Sequence, residues 1–289
     1  MERFLAERIK RAEEARIHEA YARRAVAAQS YSWFDAGHIF MVQEIEQRML
    51  GALRRHDMVP LQSKKILEIG CGNGYWLREF IKWGASPQNL TGIDLLAERL
   101  AQACRLSPPG VAFMTGNAAE LEFADESFDI VLQATVFTSM LDFTLKQKVA
   151  AEMLRVLRPA GVVLWYDFRV NNPRNPDVRG IKRAEIEKLF PACRIDLETT
   201  TLLPPLLRSL ARYSWLGCYV LSTLPWMCTH YLGTIHKPQR LCRPRRQAKT
   251  RTISLSMHRQ ALARPPYTPS AEGAPAVAHR FAGGPAGGQ

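Results

Sequence analysis

The sequence predicts an α/β chain built on a doubly wound, mostly parallel sheet of seven strands. Three observations predict it. From Lys64 onward short apolar runs alternate with stretches of helical periodicity, the pattern of strand–helix–strand units on a parallel sheet. The first of these runs, KILEIG at 65–70, leads into glycines at 70, 72 and 74 and then into a helix at 75–82. The next run, LTGIDL at 90–95, places the carboxylate Asp94 near its end.

Each element has its own warrant. Residues 2–28 are dense in charges of both signs, with Glu7 four before Arg11 and Glu19 four before Arg23, the spacing of an exposed helix. A second helix is expected over 38–55, where Val42, Ile45, Met49 and Leu53 share one face. Between them lies the aromatic group Tyr31, Trp33 and Phe34. Further strands are expected at 111–115, 128–133 and 161–168. Before the last of these, Leu145, Val149, Met153 and Leu157 repeat at helical spacing, with Thr144 and Gln147 read as a capping box and Pro159 as the stop. A helix at 182–189 and strands at 193–201 and 229–237 complete the sheet. The apolar insertion between the last two is expected to be helical.

Charge is distributed unevenly. Residues 237–289 hold ten Lys or Arg against one acid, Glu272, so most of the formal charge of +12 belongs to a tail and the remainder is nearly neutral. That tail is rich in Pro and Gly and poor in large aliphatics, the composition of a segment too polar to fold. Six cysteines occur without a CxxC pair and no apolar signal core follows MERFLAERIKR, which points to a reducing, cytoplasmic setting and to no metal site. Cys228 with His230 lacks a second ligand pair at zinc spacing.

The chemistry concentrates at Glu68, Gly70, Cys71, Gly72 and Gly74. Glycines let the chain turn sharply and come close to a ligand, and the following helix aims its first N–H groups at it. A dinucleotide fingerprint needs a third glycine at 75, where Tyr75 stands, which disfavours a nicotinamide dehydrogenase. Asp94, twenty residues past Gly74, suits the two hydroxyls of a ribose. Glu68, Asp94, Asn117 and Gln133 all fall at the carboxyl ends of expected strands, where parallel sheets bind ligands.

These residues resemble the class I S-adenosylmethionine-dependent methyltransferases, in particular the type 11 or UbiE-like small-molecule branch, over 64–168 and less closely to 237. The resemblance implies a Rossmann-like fold and S-adenosylmethionine as cofactor. It implies that Glu68, Gly70, Gly72 and Gly74 wrap the methionine part, that Asp94 binds the ribose and that Leu95 packs on the adenine. Asn117 and Ala118 would meet the adenine edge, Gln133 would end beside the methyl group, and Tyr31 would fold over the pocket. The Leu157–Gly161 stretch matches the family's Leu-Lys-Pro-Gly-Gly turn, with Ala160 in place of the first glycine. On this reading 1–60 is a helical extension or lid, 61–237 the methyltransferase domain with an insertion at 202–228, and 238–289 a disordered basic tail.

The acceptor is less determined. Asp167, His38 and His230 are the candidate bases, needed only if the acceptor atom carries a proton. The loop NNPRNPDVRG reads equally as a cluster of Asn-Pro turns or as a polar mouth for a sugar or an anion. The insertion is expected to cover the acceptor pocket, with peripheral contact to a membrane as the rival account, since no charge occurs from Tyr213 to Ile235. The leading expectation is methyl transfer to a small molecule, such as a hydroxyl of a glycan or lipid-linked precursor. A nucleic-acid methyltransferase and a non-catalytic cofactor-binding partner are the alternatives. Against the former, strand four ends in Gln133-Ala134-Thr135-Val136-Phe137 rather than an Asn/Asp-Pro-Pro-aromatic motif, and the body has no basic surplus.

Overall fold

A computed structural model describes residues 2–27, 32–172 and 175–238. The expected tail and Tyr31 lie outside the described residues. The elements follow in the order α1 (Glu2–Ala27), α2 (Ala36–Arg55), β1 (Ile66–Ile69), α3 (Tyr75–Lys82), β2 (Leu90–Asp94), α4 (Ala97–Leu106) and β3 (Ala112–Thr115). Then come β4 (Phe128–Ala134), α5 (Phe143–Val156), β5 (Leu157–Phe168), α6 (Arg183–Leu189), β6 (Arg194–Leu202), α7 (Pro204–Leu210), α8 (Trp215–Ser222) and β7 (Cys228–His236).

The seven strands form one sheet in the order β3-β2-β1-β4-β5-β7-β6. β1 to β5 pair in parallel, and β7 inserts antiparallel between β5 and β6. Alternation along each strand divides the apolar side chains between two cores. Leu67, Ile69, Val131, Val163 and Trp165 meet Leu145, Val149 and Met153 of α5 and Ile186 of α6 on one face. Ile66, Ile130, Leu132, Val162 and Leu164 meet Met49 and Leu53 of α2, Leu77 and Phe80 of α3, and Leu100 of α4 on the other. Both faces of the central strands are therefore covered, which is why those strands read as unbroken apolar runs.

The helix α4 went unread in the sequence, because only Leu100 and Ala103 of its ten residues are buried and the apolar stripe is thin. The start of α5 also differs from the expected capping box. Asp142 is the N-cap and its side chain accepts the N–H of Leu145, two residues earlier than Thr144 would place it. The segment from Leu157, expected as a turn, already belongs to β5, where the pairing with β4 shifts between Phe128 and Ile130. In the insertion, α7 and α8 build a satellite core on Phe40, Leu202, Leu207, Ala211 and Cys218, so they rest on α2 and β6.

Candidate active site

Strand order reverses between β1 and β4, and the crevice outside the carboxyl ends of the strands opens there. The turn after β1 holds Gly70, Gly72 and Gly74 at φ of 63°, 54° and 73°. Side chains are disfavoured in this region, and space excludes them as well: a Cβ on Gly70 would lie 2.6 Å from Val136 Cγ2, and one on Gly72 would run into the Arg99 guanidinium. Asp94, buried at the end of β2, ties this turn to the next strand. Its Oδ2 accepts the Gly72 N–H at 2.8 Å and its Oδ1 the Leu96 N–H at 2.9 Å. After β3, Asn117 Oδ1 accepts the Ala119 N–H at 2.8 Å, while its amide donates to the carboxylate of Glu14 on α1.

These groups frame a cavity of about 410 Å³. Its polar lining comes from Asp94, Arg99, Asn117, Glu14, Thr135 and Ser139, its apolar lining from Ile17, Tyr21, Val136, Met140, Leu145 and Val149. The covering element is α1. The buried Glu13 carboxylate accepts the Leu141 N–H at 2.5 Å, the Arg16 guanidinium donates to the Ser139 carbonyl, and Arg23 pairs with Asp177 at 2.8 Å. Arg99 in turn lies 5.0 Å over the Tyr21 ring. Thr135, with φ of 58°, holds a β-branched residue in the left-handed region at the cavity wall, a conformation that costs about 1–2 kcal/mol and persists only where its surroundings enforce it.

Of the residues singled out in the sequence, the structure brings Gly70, Asp94, Leu95, Asn117 and Ala118 to the cavity. Gly72 and Gly74 complete the turn behind it. Glu68 lies on the Ile66 face of β1; it is buried, and its Oε2 has no hydrogen-bond partner. Burial, and then the neighbouring charge of Asp94, push its carboxyl well above the usual range. Cys71 packs in the core against Gly92, and burial pushes its thiol far up, so it is an inert filler.

Four others stand elsewhere. Gln133 is fully buried, donating to the Tyr166 carbonyl at 3.4 Å and accepting the Val136 N–H at 3.2 Å, so it braces the strand end instead of facing the cavity. Asp167 accepts the N–H groups of Phe137 and Thr138 and the Thr138 hydroxyl, at 3.0, 3.3 and 2.7 Å. It thereby pins the turn that carries Ser139, and burial raises its carboxyl to about 6. His230 is stacked on Tyr166 with centroids 4.7 Å apart, bonds the Thr229 hydroxyl through Nδ1, and is driven down to about 3 by burial. His38 sits edge-on to Trp33 at 5.1 Å on α2. None of Asp167, His38 and His230 lines the cavity.

The expected coverings also differ. Trp33 stacks on Tyr75, Phe34 is almost fully exposed, and no residue of the 202–228 insertion lines the cavity. In the polar loop, Asn171 and Asn175 accept backbone N–H groups of Gly180 and Asp177, the work of turn residues; Arg174 lies outside the described residues. The sequence reading missed Glu14, Tyr21 and Arg99. Arg99 could have been found by its place in the first turns of a helix just after Asp94, whereas a charged helix gives no local sign of what it covers.

A second polar cluster joins His56, Asp196 and His236, whose ligand-type atoms lie within 4.8 Å of one another. Both histidine Nε2 atoms bond the Thr234 hydroxyl and Arg194 pairs with Asp196 at 3.0 Å, with Arg55 and Arg183 close by, so the cluster is a cation-rich network ill suited to a metal ion.

Residues 66–161 match the Methyltransf_25 family, described as a methyltransferase domain. Over this third of the chain the sequence is similar to a methyltransferase domain, in line with the class I S-adenosylmethionine-dependent fold expected from its motifs. The chain is 37% identical over 116 residues to a phthiotriol/phenolphthiotriol dimycocerosates methyltransferase from Mycobacterium ulcerans, covering 39% of this chain and 41% of that protein. It is 27% identical over 188 residues to the sterol 24-C-methyltransferase of Aspergillus fumigatus, covering 60% of this chain and 48% of that protein. The chain thus spans less than half the length of these relatives. Among solved structures, a methyltransferase from Methanosarcina mazei aligns with a TM-score of 0.46 at 20% identity, over 61% of this chain and 93% of that one.

The residues of the methyltransferase domain fit its cofactor on their own geometry. The turn at Gly70–Gly74 tolerates no side chain, and Gly70, the Asp94 carboxylate and Asn117 line the cavity beside it.

Proposed function

We propose that this chain transfers a methyl group from S-adenosylmethionine to a small, largely apolar acceptor, a hydroxyl of a lipid-linked or glycan precursor, in the cytoplasm. The observation that carries the reading is the two-sided cavity: a carboxylate, an amide and a glycine turn at the strand ends face an apolar wall from α1, α5 and the Val136–Met140 turn. A volume of about 410 Å³ falls within the range of about 300–1000 Å³ that small-molecule sites occupy. The names of the relatives from Mycobacterium and Aspergillus point in the same direction, since both act on lipids.

The cofactor supplies an electrophilic methyl group on a sulfonium. This chain's residues supply alignment and the exclusion of water, which is what an in-line displacement requires. Asp94 would hold the ribose hydroxyls, Asn117 and Leu95 the adenine, and the turn at 70–74 the methionine part. Ile17, Met140, Leu145 and Val149 would hold the acceptor, with α1 closing the cavity. Asp167 acts as a positioning residue through the turn it pins.

The test is direct. Purified protein is titrated with S-adenosylmethionine by calorimetry and then incubated with lipid extracts, and products are searched for a gain of one methylene by mass spectrometry. Binding together with formation of S-adenosylhomocysteine and a methylated lipid supports the reading. Binding without turnover on any extract would favour a non-catalytic partner, and no binding would end the proposal.

A further inference from the structure

Helix α8 is apolar all round: Trp-Leu-Gly-Cys-Tyr-Val-Leu-Ser. Such a helix is ordinarily buried on every side. Here Cys218 is buried in the satellite core beside Phe40 and Ser222 is buried as well, while Trp215, Leu216, Tyr219 and Val220 are exposed, Trp215 also meeting Phe40 edge-on. Leu216 is 74% exposed and Val220 54%. On either side Tyr213 and Trp226 add exposures of 79% and 72%. More than half of the large apolar residues that the described chain leaves exposed fall between 203 and 226.

Within its own segment the patch carries charge of one sign, while Glu44 of α2 lines the same groove as Trp215, Leu216 and Tyr219 and Asp35 lies near Arg208. No Asp or Glu occurs from Thr199 to Pro238, while Arg208 and Arg212 are exposed beside the patch, the latter 5.4 Å over the Tyr213 ring. Exposed aliphatic side chains flanked by Trp, Tyr and two exposed arginines are the features of a surface that lies in the headgroup region of an anionic bilayer. No helix among the described residues is long and apolar enough to cross a membrane, so contact is from one side only.

We infer that the outward face of α8, with Tyr213 and Trp226, docks the protein on an anionic lipid surface. This places the methyltransferase domain where a lipid-linked acceptor resides, and in that purpose it rests on the function proposed above. Binding to vesicles is measured without cofactor or acceptor, so failure of methyl transfer and failure of docking are distinguishable.

The experiment uses the full chain, sedimented with phosphatidylcholine vesicles with and without about a quarter phosphatidylglycerol. Binding is expected to the anionic vesicles, with a blue shift of tryptophan emission. The double variant Leu216→Glu/Val220→Glu, whose sites are exposed, is expected to lose at least about tenfold in partitioning with an unchanged thermal melt. Leu106→Glu/Met114→Glu, which adds the same charge elsewhere, is expected to bind like the unaltered protein. Equal binding by the first variant would overturn the inference and assign any lipid affinity to the basic residues beyond 238. A dimer in light scattering that this variant dissociates would overturn it in favour of an interface between copies.

Discussion

The Asp94 carboxylate accepts the backbone N–H of Gly72 at 2.8 Å, joining the glycine turn to the strand end beside it. A single side chain thus holds the shape of the turn and offers its charge to the cavity. Asp94→Ala removes both functions and is expected to weaken S-adenosylmethionine by about 10–100-fold, the worth of one or two hydrogen bonds to a charged group. Asp94→Asn keeps an acceptor for one N–H and is expected to fall between. Calorimetry on folded variants checks both, and an alanine variant that binds as tightly as the unaltered protein refutes the role.

Tyr21 offers its ring face to Arg99 and lines the cavity. Tyr21→Phe keeps the cation–π contact and is expected to leave affinity nearly unchanged. Tyr21→Ala is expected to cost about 0.5–2 kcal/mol, or about 2–30-fold in ligand affinity. A ligand titration of the two variants side by side separates the ring from the hydroxyl.

His230 provides a pH signature of stability. Its pKa is lowered to about 3 in the folded chain, so the folded state resists protonation that the unfolded chain accepts near pH 6.5. Its contribution is complete above pH 6.5 and is lost as pH falls towards 3, the loss reaching about 2 kcal/mol at pH 5. Asp167, raised to about 6, acts in the opposite sense, its contribution being complete below about 4 and lost as pH rises through 6. The two slopes oppose each other between about pH 4 and 6. His230→Gln is therefore expected to become more stable on mild acidification relative to the parent, in denaturant titrations at pH 7 and 5.

Lys146 has no exposed surface and its ammonium donates to Glu185 at 2.8 Å. Glu185→Gln leaves that cation buried without its anion and is expected to cost about 3 kcal/mol, a fall of about 6–12 °C in melting temperature. Lys146→Met is expected to be near neutral, because Glu185 keeps Arg179 at 3.2 Å as a partner. Equal losses in the two variants would show that the pair is not the controlling interaction.

The sheet was legible because its rules are local. Alternation and length place all seven strands within a few residues, and the glycine spacing places the turn and Asp94. What escaped the reading depends on distant partners. Glu14 meets Asn117 across 103 positions and Glu13 meets Leu141 across 128, so although 1–60 reads as an extension or lid, the contacts by which its first helix covers the cavity have no local signature. His230 looked like a base until the register of β7 on β5 set it opposite Phe168 and stacked it on Tyr166. Gln133, at a strand end that suggests a ligand, spends both amide atoms on the chain around it.

The cavity is made of two unlike materials. Its strand-end half is a glycine turn with polar side chains, where a Cβ on the glycines collides with something; its other half is aliphatic side chains on α1, α5 and one turn that also pack on the sheet. The residues that would meet an acceptor, Ile17, Met140, Leu145 and Val149, are thus also residues of the core, and a change of clientele there is bounded by the packing of the sheet.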